Sequence, residues 1–162
     1  VDAAQIVGPA LEGVRNGTFD VMGTDHAPHT LEEKSMPYPA SPSGMPGVQT
    51  FDPLMLDWVN NGALTLERFV DLTSHGVHRV WGVIGKGRLV VGYDADITIV
   101  DMKAKRVIHD ADQANRSGWT PYDGREVTGW PTHTIIDGRV VMQEGEIQGE
   151  AQGKPYRFYE SL

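Results

Sequence analysis

A single helix–turn–strand unit near the start of the chain limits what the chain can become. Gly8 to Gly17 has helical character: Pro9 suits a first helical position, Leu11 and Val14 share a face, and Gly17 suits a left-handed stop. Phe19 to Thr24 follows as a short strand, apolar enough to be covered on both faces as parallel strands are. Helix, tight turn and buried strand make half of a repeating α/β unit, and half a unit cannot form a sheet by itself. The sequence starts at Val1, with no initiator methionine and no signal-like segment. The unit is therefore expected to close a longer series rather than to stand alone.

The strand runs into Gly23-Thr24-Asp25-His26-Ala27-Pro28-His29-Thr30. An acid and two histidines where a buried strand opens into a loop is where parallel α/β enzymes keep their catalytic groups. The same residues also fit a plain strand-end turn, with Asp25 capping nearby backbone and both histidines solvated. From His26 to Pro53 the regular period is lost, and six of the ten prolines fall there: Pro28, Pro37, Pro39, Pro42, Pro46 and Pro53. Loops of this length inside compact domains are usually functional or disordered. Met36, Tyr38, Met45, Val48 and Phe51 are interspersed in it, and with proline rigidity they predict an ordered, packed loop rather than a flexible linker.

Two helices are expected next, a short one over Leu54–Val59 and a longer one capped by Thr65, with Leu66, Phe69, Val70 and Thr73 on one face. His75 and His78 stand three apart, a spacing that can serve zinc, but a metal site needs three or four ligands and no further ligand type is near. Gly76 and Gly82 point instead to a broken, packed helix end. Beyond Gly85-Lys86-Gly87, which is a turn and not a nucleotide loop, the period becomes that of strands. Ile97–Asp101 and Arg106–Ile108 are expected strands, and Asp137-Gly138 between Thr134–Ile136 and Arg139–Met142 is a strong hairpin signal. The aromatic-rich stretch Ser117–Pro131 is expected to be a packed crossing segment. The tail Gly153–Tyr159 either packs back or covers a neighbouring subunit.

Fourteen Lys and Arg against 22 Asp and Glu leave a net charge of -8 with no basic cluster, which argues against nucleic acid and anionic membrane as partners. No apolar run approaches the roughly 20 residues of a spanning helix. Cysteine is absent, which excludes disulfides and thiolate sites and suits a reducing cytoplasm.

Thr24-Asp25-His26-Ala27-Pro28-His29-Thr30, followed by Glu32-Glu33-Lys34, resembles the last barrel strand and loop of the dihydroorotases, cyclic amidohydrolases of the amidohydrolase superfamily. Ser41-Pro42-Ser43-Gly44-Met45-Pro46-Gly47 fits the same family. Lys86-Gly87-Arg88-Leu89, Gly92-Tyr93-Asp94-Ala95-Asp96 and Asp137-Gly138-Arg139-Val140-Val141 resemble the small β domain shared by dihydroorotases, allantoinases and dihydropyrimidinases. The resemblance implies an α/β fold, the C-terminal fragment of a metal-dependent (β/α)8 TIM barrel plus part of a small β-sandwich domain. Residues 1–84 would end the barrel, and residues 85–162 would form the later sandwich strands and tail. A whole barrel takes about 250 residues.

The implied activity is zinc-dependent hydrolysis of a cyclic amide, interconverting dihydroorotate and N-carbamoyl-aspartate in pyrimidine biosynthesis, by a cytoplasmic homo-oligomer acting on a small molecule. Asp25 would be a zinc ligand and the proton shuttle. His29 would contact the substrate, and Ser43 and Gly44 would offer it backbone hydrogen bonds, while His26 would either support these residues from behind or be structural. The family's other zinc ligands, for one or two ions, lie on earlier strands, and no His-x-His occurs here, so the chain alone is expected to be inactive. Many dihydroorotases carry Phe-Gly where this chain has Ser43-Gly44. Hydantoinase, dihydropyrimidinase or allantoinase activity is the nearest alternative, and a non-catalytic amidohydrolase-like assembly subunit is the alternative of a different class.

Overall fold

A computed structural model of the chain describes residues 3–159. The outer ends of the two expected segments, residues 1–2 and 160–162, lie outside the described residues. Helix α1 spans Ala3–Asn16 and stops at Gly17, whose φ of +87° only glycine takes readily. It begins before Pro9, so that proline is interior rather than at the first position. Val14 is buried, as its place on the apolar face requires.

Phe19–Thr24 has no regular secondary structure, bends at Asp20 and pairs with no strand, which corrects the expected sheet strand. Its backbone bonds go to helices instead: Phe19 N–H donates to Gly13 O at 3.2 Å, and Met22 N–H to Leu72 O at 3.1 Å. A parallel strand needs a parallel neighbour, and the described residues contain none. The sheet of this chain is antiparallel throughout.

After this segment come α2 (Leu31–Lys34), α3 (Val48–Asn60), α4 (Leu66–Val70) and α5 (Gly76–Trp81). Helix α3 begins six residues before the expected start of Leu54 and runs through Pro53, so the irregular loop is shorter than its prolines suggested. Thr65 caps α4 by accepting from the Arg68 N–H at 3.1 Å. A π-helical turn, Asp71–His75, joins α4 to α5. A Cβ on Gly76 would lie 2.4 Å from Asp71 O and 2.8 Å from Asp20 O, so a glycine is what lets the Phe19–Thr24 segment lie against this turn. The two histidines of this region act separately. His78 Nδ1 donates to Ser74 O at 2.6 Å, and the His75 ring meets the Arg88 guanidinium.

The second half forms one meander: β1 (Ile97–Val107), β2 (Glu126–Ile136), β3 (Arg139–Gln143) and β4 (Glu146–Ile147), in that order. Asp137 and Gly138 carry φ of +51° and +75°, which is the type I′ turn that matches strand twist. The two short strands expected around Ile97 and Arg106 are a single strand with an irregularity between Asp101 and Lys105. There Asp101 Oδ1 accepts from the Lys103 and Ala104 N–H groups. Trp130 and Pro131 belong to β2, not to the crossing segment, and Pro131 sits at a register shift, where a missing N–H is tolerated.

Helix α3 is the element that both halves lean on. Leu56 and Leu72 are fully buried, with Val14, Met55, Leu64 and Phe69 around them, and Val100 and Met102 of β1 pack on the same cluster. Gly129 of β2 lets the sheet close onto α3, since a Cβ there would fall 2.6 Å from Leu56 Cβ. Asn60 Nδ2 donates to Thr128 O at 2.8 Å, and Asp57 Oδ1 accepts from Thr128 N–H at 3.0 Å. On the same helix Asp52 has no ion pair among the described residues, and burial pushes its carboxyl up.

The tail packs back on its own chain. Tyr159 N–H donates to Gly82 O, Ile84 N–H to Arg157 O, and the Tyr156 ring lies 5.3 Å from Lys86 Nζ. Lys86 also bonds Asp94 and Asp96, and Asp96 accepts from Asp137 N–H at the hairpin. Burial works against both charges, but the bonds outweigh it, so Asp96 is held below its ordinary value and Lys86 above. Among the described residues no helix is long and apolar enough to cross a membrane.

Candidate active site

The Phe19–Thr24 segment runs into Asp25, whose φ is +46°. Aspartate tolerates the left-handed region better than most residues, and such strained positions cluster at functional sites. The turn leaves the Asp25 side chain exposed. What holds the turn is its neighbour. His26 pairs with Met45, Ala27 N–H donates to Met45 O at 3.1 Å, and His26 Nδ1 accepts from the N–H groups of Gly47 and Val48 at 3.0 and 3.3 Å.

Those two N–H groups open α3, and Gly47 has no side chain with which to cap it. His26 is therefore the cap of α3, supplied from 21 residues upstream, which is the structural one of its two expected roles. Replacing His26 with alanine is expected to lower unfolding stability by about 1 kcal/mol, the typical worth of a lost N-cap. Urea unfolding followed by circular dichroism measures this, and an unchanged midpoint would contradict the capping role.

His29 is half-buried two residues before the start of α2. Thr30 and Glu33 form a reciprocal capping box: Thr30 N–H donates to Glu33 Oε2 at 2.8 Å, and Glu33 N–H to Thr30 Oγ1 at 3.2 Å. The Thr30 N–H and hydroxyl bonds, with the nearby His29 ring, hold the Glu33 carboxyl below its ordinary value. His29 Nδ1 lies 3.6 Å from Glu33 Oε2, so the box also sets where the imidazole sits. The His29 carbonyl accepts from Trp119 Nε1 at 2.6 Å, a contact across 90 residues.

The loop that carries Ser43 and Gly44 folds back over this turn. Lys34 Nζ donates to Pro42 O at 2.8 Å and to Gly44 O at 3.1 Å, holding the carbonyls on either side of Ser43. Gly44 has φ of +99°, and a Cβ there would lie 2.7 Å from Ala27 O. The loop is thus held to the turn by the Lys34 ammonium and the Ala27–Met45 backbone bond, and the packing expected of its apolar side chains is largely absent. Pro46 is fully buried, whereas Met36, Tyr38, Met45 and Val48 are exposed rather than packed.

Asp25, His29, Ser43 and Gly44 therefore lie on two segments that touch through Ala27 and Met45. Sequence reasoning passed over the work of Lys34 and Trp119 and the close approach of Gly44 to Ala27. A lysine ten residues from its acceptor, a glycine at positive φ and a tryptophan in a distant segment carry no local signature of such contacts. An exposed carboxylate on the same turn as an imidazole can exchange a proton with a bound polar molecule, and the apposed loop can orient that molecule. Among the described residues no three His, Asp, Glu or Cys side chains converge to hold a metal ion.

Comparison with known proteins adds an independent finding. The amidohydrolase family model matches residues 7–141. A dihydroorotase of Pyrococcus furiosus is 44% identical over 134 residues, which are 83% of this chain and 31% of that protein. A dihydroorotase of Methanosarcina mazei is 38% identical over 142 residues, 86% of this chain and 31% of that protein. Among solved structures, the L-hydantoinase of Arthrobacter aurescens is similar with a TM-score of 0.86 at 33% identity, covering 91% of this chain and 34% of that one. The chain spans about a third of the length of these relatives.

Proposed function

The chain belongs to the amidohydrolase family, and from that premise we propose that it is the C-terminal third of a zinc-dependent hydrolase of cyclic amides, most like dihydroorotase. In this reading residues 1–84 end a (β/α)8 barrel, and residues 85–162 supply the later strands of a small β-sandwich and the tail. The enzyme interconverts dihydroorotate and N-carbamoyl-aspartate as a cytoplasmic homo-oligomer. The observation that carries the reading is the 44% identity to a dihydroorotase across 83% of the chain.

The surface of the chain supports the architectural part. Its accessible area is 11067 Å², whereas a self-contained protein of 17.8 kDa exposes about 8000 Å². Trp81, Leu89 and Val91 are among the large apolar side chains left open. Purified 162-residue chain is therefore expected to self-associate, with a mass by light scattering above 17.8 kDa. A clean monomer would count against the barrel assignment.

Zinc takes three or four protein ligands. Among the described residues no three ligand side chains converge, so this chain alone does not fit the ion, and in this reading Asp25 is one ligand and the others belong to the rest of the enzyme. The chemistry within reach of the chain is proton transfer and orientation. As water adds to the ring carbonyl, the Asp25 carboxylate accepts its proton and passes it to the ring nitrogen while the C–N bond breaks. Without that proton the nitrogen would leave as an amide anion, a poor leaving group. His29 and the Ser43–Gly44 backbone hold the substrate beside this carboxylate.

The test is turnover of dihydroorotate, hydantoin, dihydrouracil and allantoin by the full-length protein, with the ring-opened products separated by chromatography. Dihydroorotate is expected to be preferred. Turnover of hydantoin or dihydrouracil instead would establish the second reading, which the match to L-hydantoinase favours. No turnover of any of the four would leave the non-catalytic assembly role.

A further inference from the structure

Trp119 sits far from the proposed site in sequence, in the irregular segment between β1 and β2, yet its indole N–H donates to the His29 carbonyl at 2.6 Å. The segment that presents it is firmly built. Thr120 and Ile108 are buried, Asp110 Oδ1 accepts from Thr120 N–H at 2.7 Å, and Asp123 Oδ1 accepts from Asp110 N–H at 2.9 Å. A second tie runs in parallel. The Gln49 side chain, one residue into α3, donates to Asp112 O at 2.6 Å and accepts from Ala114 N–H at 2.8 Å. The segment is therefore fixed to the same helix start that His26 caps.

On the other side, the His29 ring approaches Glu33, with Nδ1 3.6 Å from Oε2, but among the described residues the His29 peptide itself has little else to hold it. Pro28 has no N–H to give, and the nearest backbone anchors are Ala27 on Met45 and Thr30 on Glu33. The indole bond fixes the peptide plane between these anchors, and with it the direction in which the His29 ring leaves the backbone.

We propose that Trp119 is a positioning residue for His29, by which the β-rich half of the chain sets the substrate contact of the site. The inference rests on the reading of His29 as that contact. Loss of the indole bond leaves the proton-transfer group Asp25 in place and frees the peptide from which the substrate-orienting ring leaves, with only the Glu33 contact still holding that ring, so the effect falls on substrate binding rather than on the chemical step.

The test uses full-length enzyme with Trp119→Phe, which keeps an aromatic ring and removes the donor, alongside His29→Ala and the double variant. Trp119→Phe is expected to raise KM for dihydroorotate about tenfold, the scale of one hydrogen bond, with kcat within about twofold and a protein still folded at the assay temperature. In the His29→Ala background the same change is expected to add nothing. An unchanged KM in Trp119→Phe beside a raised KM in His29→Ala overturns the positioning role alone, as does full additivity in the double variant. An unchanged KM in His29→Ala overturns the substrate contact itself, and this inference with it.

Discussion

Full-length enzyme carrying Asp25→Asn is expected to fold normally and to lose turnover by on the order of 10²–10⁴-fold, the range assigned to a positioned proton-transfer group. Asparagine is the informative replacement because it separates chemistry from backbone. Asp25 stands at φ +46°, where asparagine is as much at ease as aspartate and alanine is not. Asp25→Ala would combine a lost carboxylate with a strained turn, whereas Asp25→Asn keeps the backbone at ease and removes only the carboxylate, with its capacity to accept a proton and its charge toward the metal. The turn has its own supports in the His26–Met45 pairing and the Ala27–Met45 hydrogen bond, neither of which involves the Asp25 side chain. Circular dichroism and the thermal midpoint should therefore match the parent. Near-normal turnover in Asp25→Asn would remove Asp25 from the mechanism.

The candidate site was legible as a cluster of residue types, but not as a geometry. Asp25 and His29 stand out because an acid and two histidines follow an apolar stretch, and that pattern is local. Asp137-Gly138 was legible for the same reason: two residues that accept positive φ, between alternating strands, determine their own turn. The failures share a different cause. Helix α3 seemed to begin at Leu54 because Pro53 looks like a boundary, but its first turn is capped by His26, which no window around Val48 contains. Phe19–Thr24 has the composition of a parallel strand without a parallel partner among the described residues, so its backbone turns to Leu72 and the π-helical turn. Strand composition records what a segment is suited to pair with, and the pairing itself depends on the rest of the sheet. Trp119 and Lys34 were missed, and Gly44 was named without its close approach to Ala27, because each acts through a contact that only the folded chain creates.

Gly44→Ala is expected to damage the site from the side of the loop, and it is the sharper test of whether the two segments work together. The new Cβ would lie 2.7 Å from Ala27 O and 2.8 Å from Ala27 Cβ, closer than unbonded atoms can settle, and the residue would hold φ +99°. The conformation alone costs an alanine roughly 1–2 kcal/mol. The overlap adds to it, because its first contact is backbone that cannot rotate away. The loop must then rise off Ala27. Its own bonds to Lys34 tie Pro42 and Gly44 together, so Ser43 moves with it. The bond next in line is Ala27 N–H to Met45 O, whose loss would loosen the turn that carries Asp25. In full-length enzyme KM for dihydroorotate is expected to rise more than tenfold, as the Ser43–Gly44 backbone leaves the substrate, with a smaller fall in kcat as Asp25 loses its support. Ser43→Ala is the matched control. It changes the side chain but leaves the backbone groups proposed to bind, so its KM should stay near that of the parent. A raised KM in Ser43→Ala with a normal Gly44→Ala would show that the loop binds through the serine hydroxyl and that its close approach to Ala27 is incidental to function.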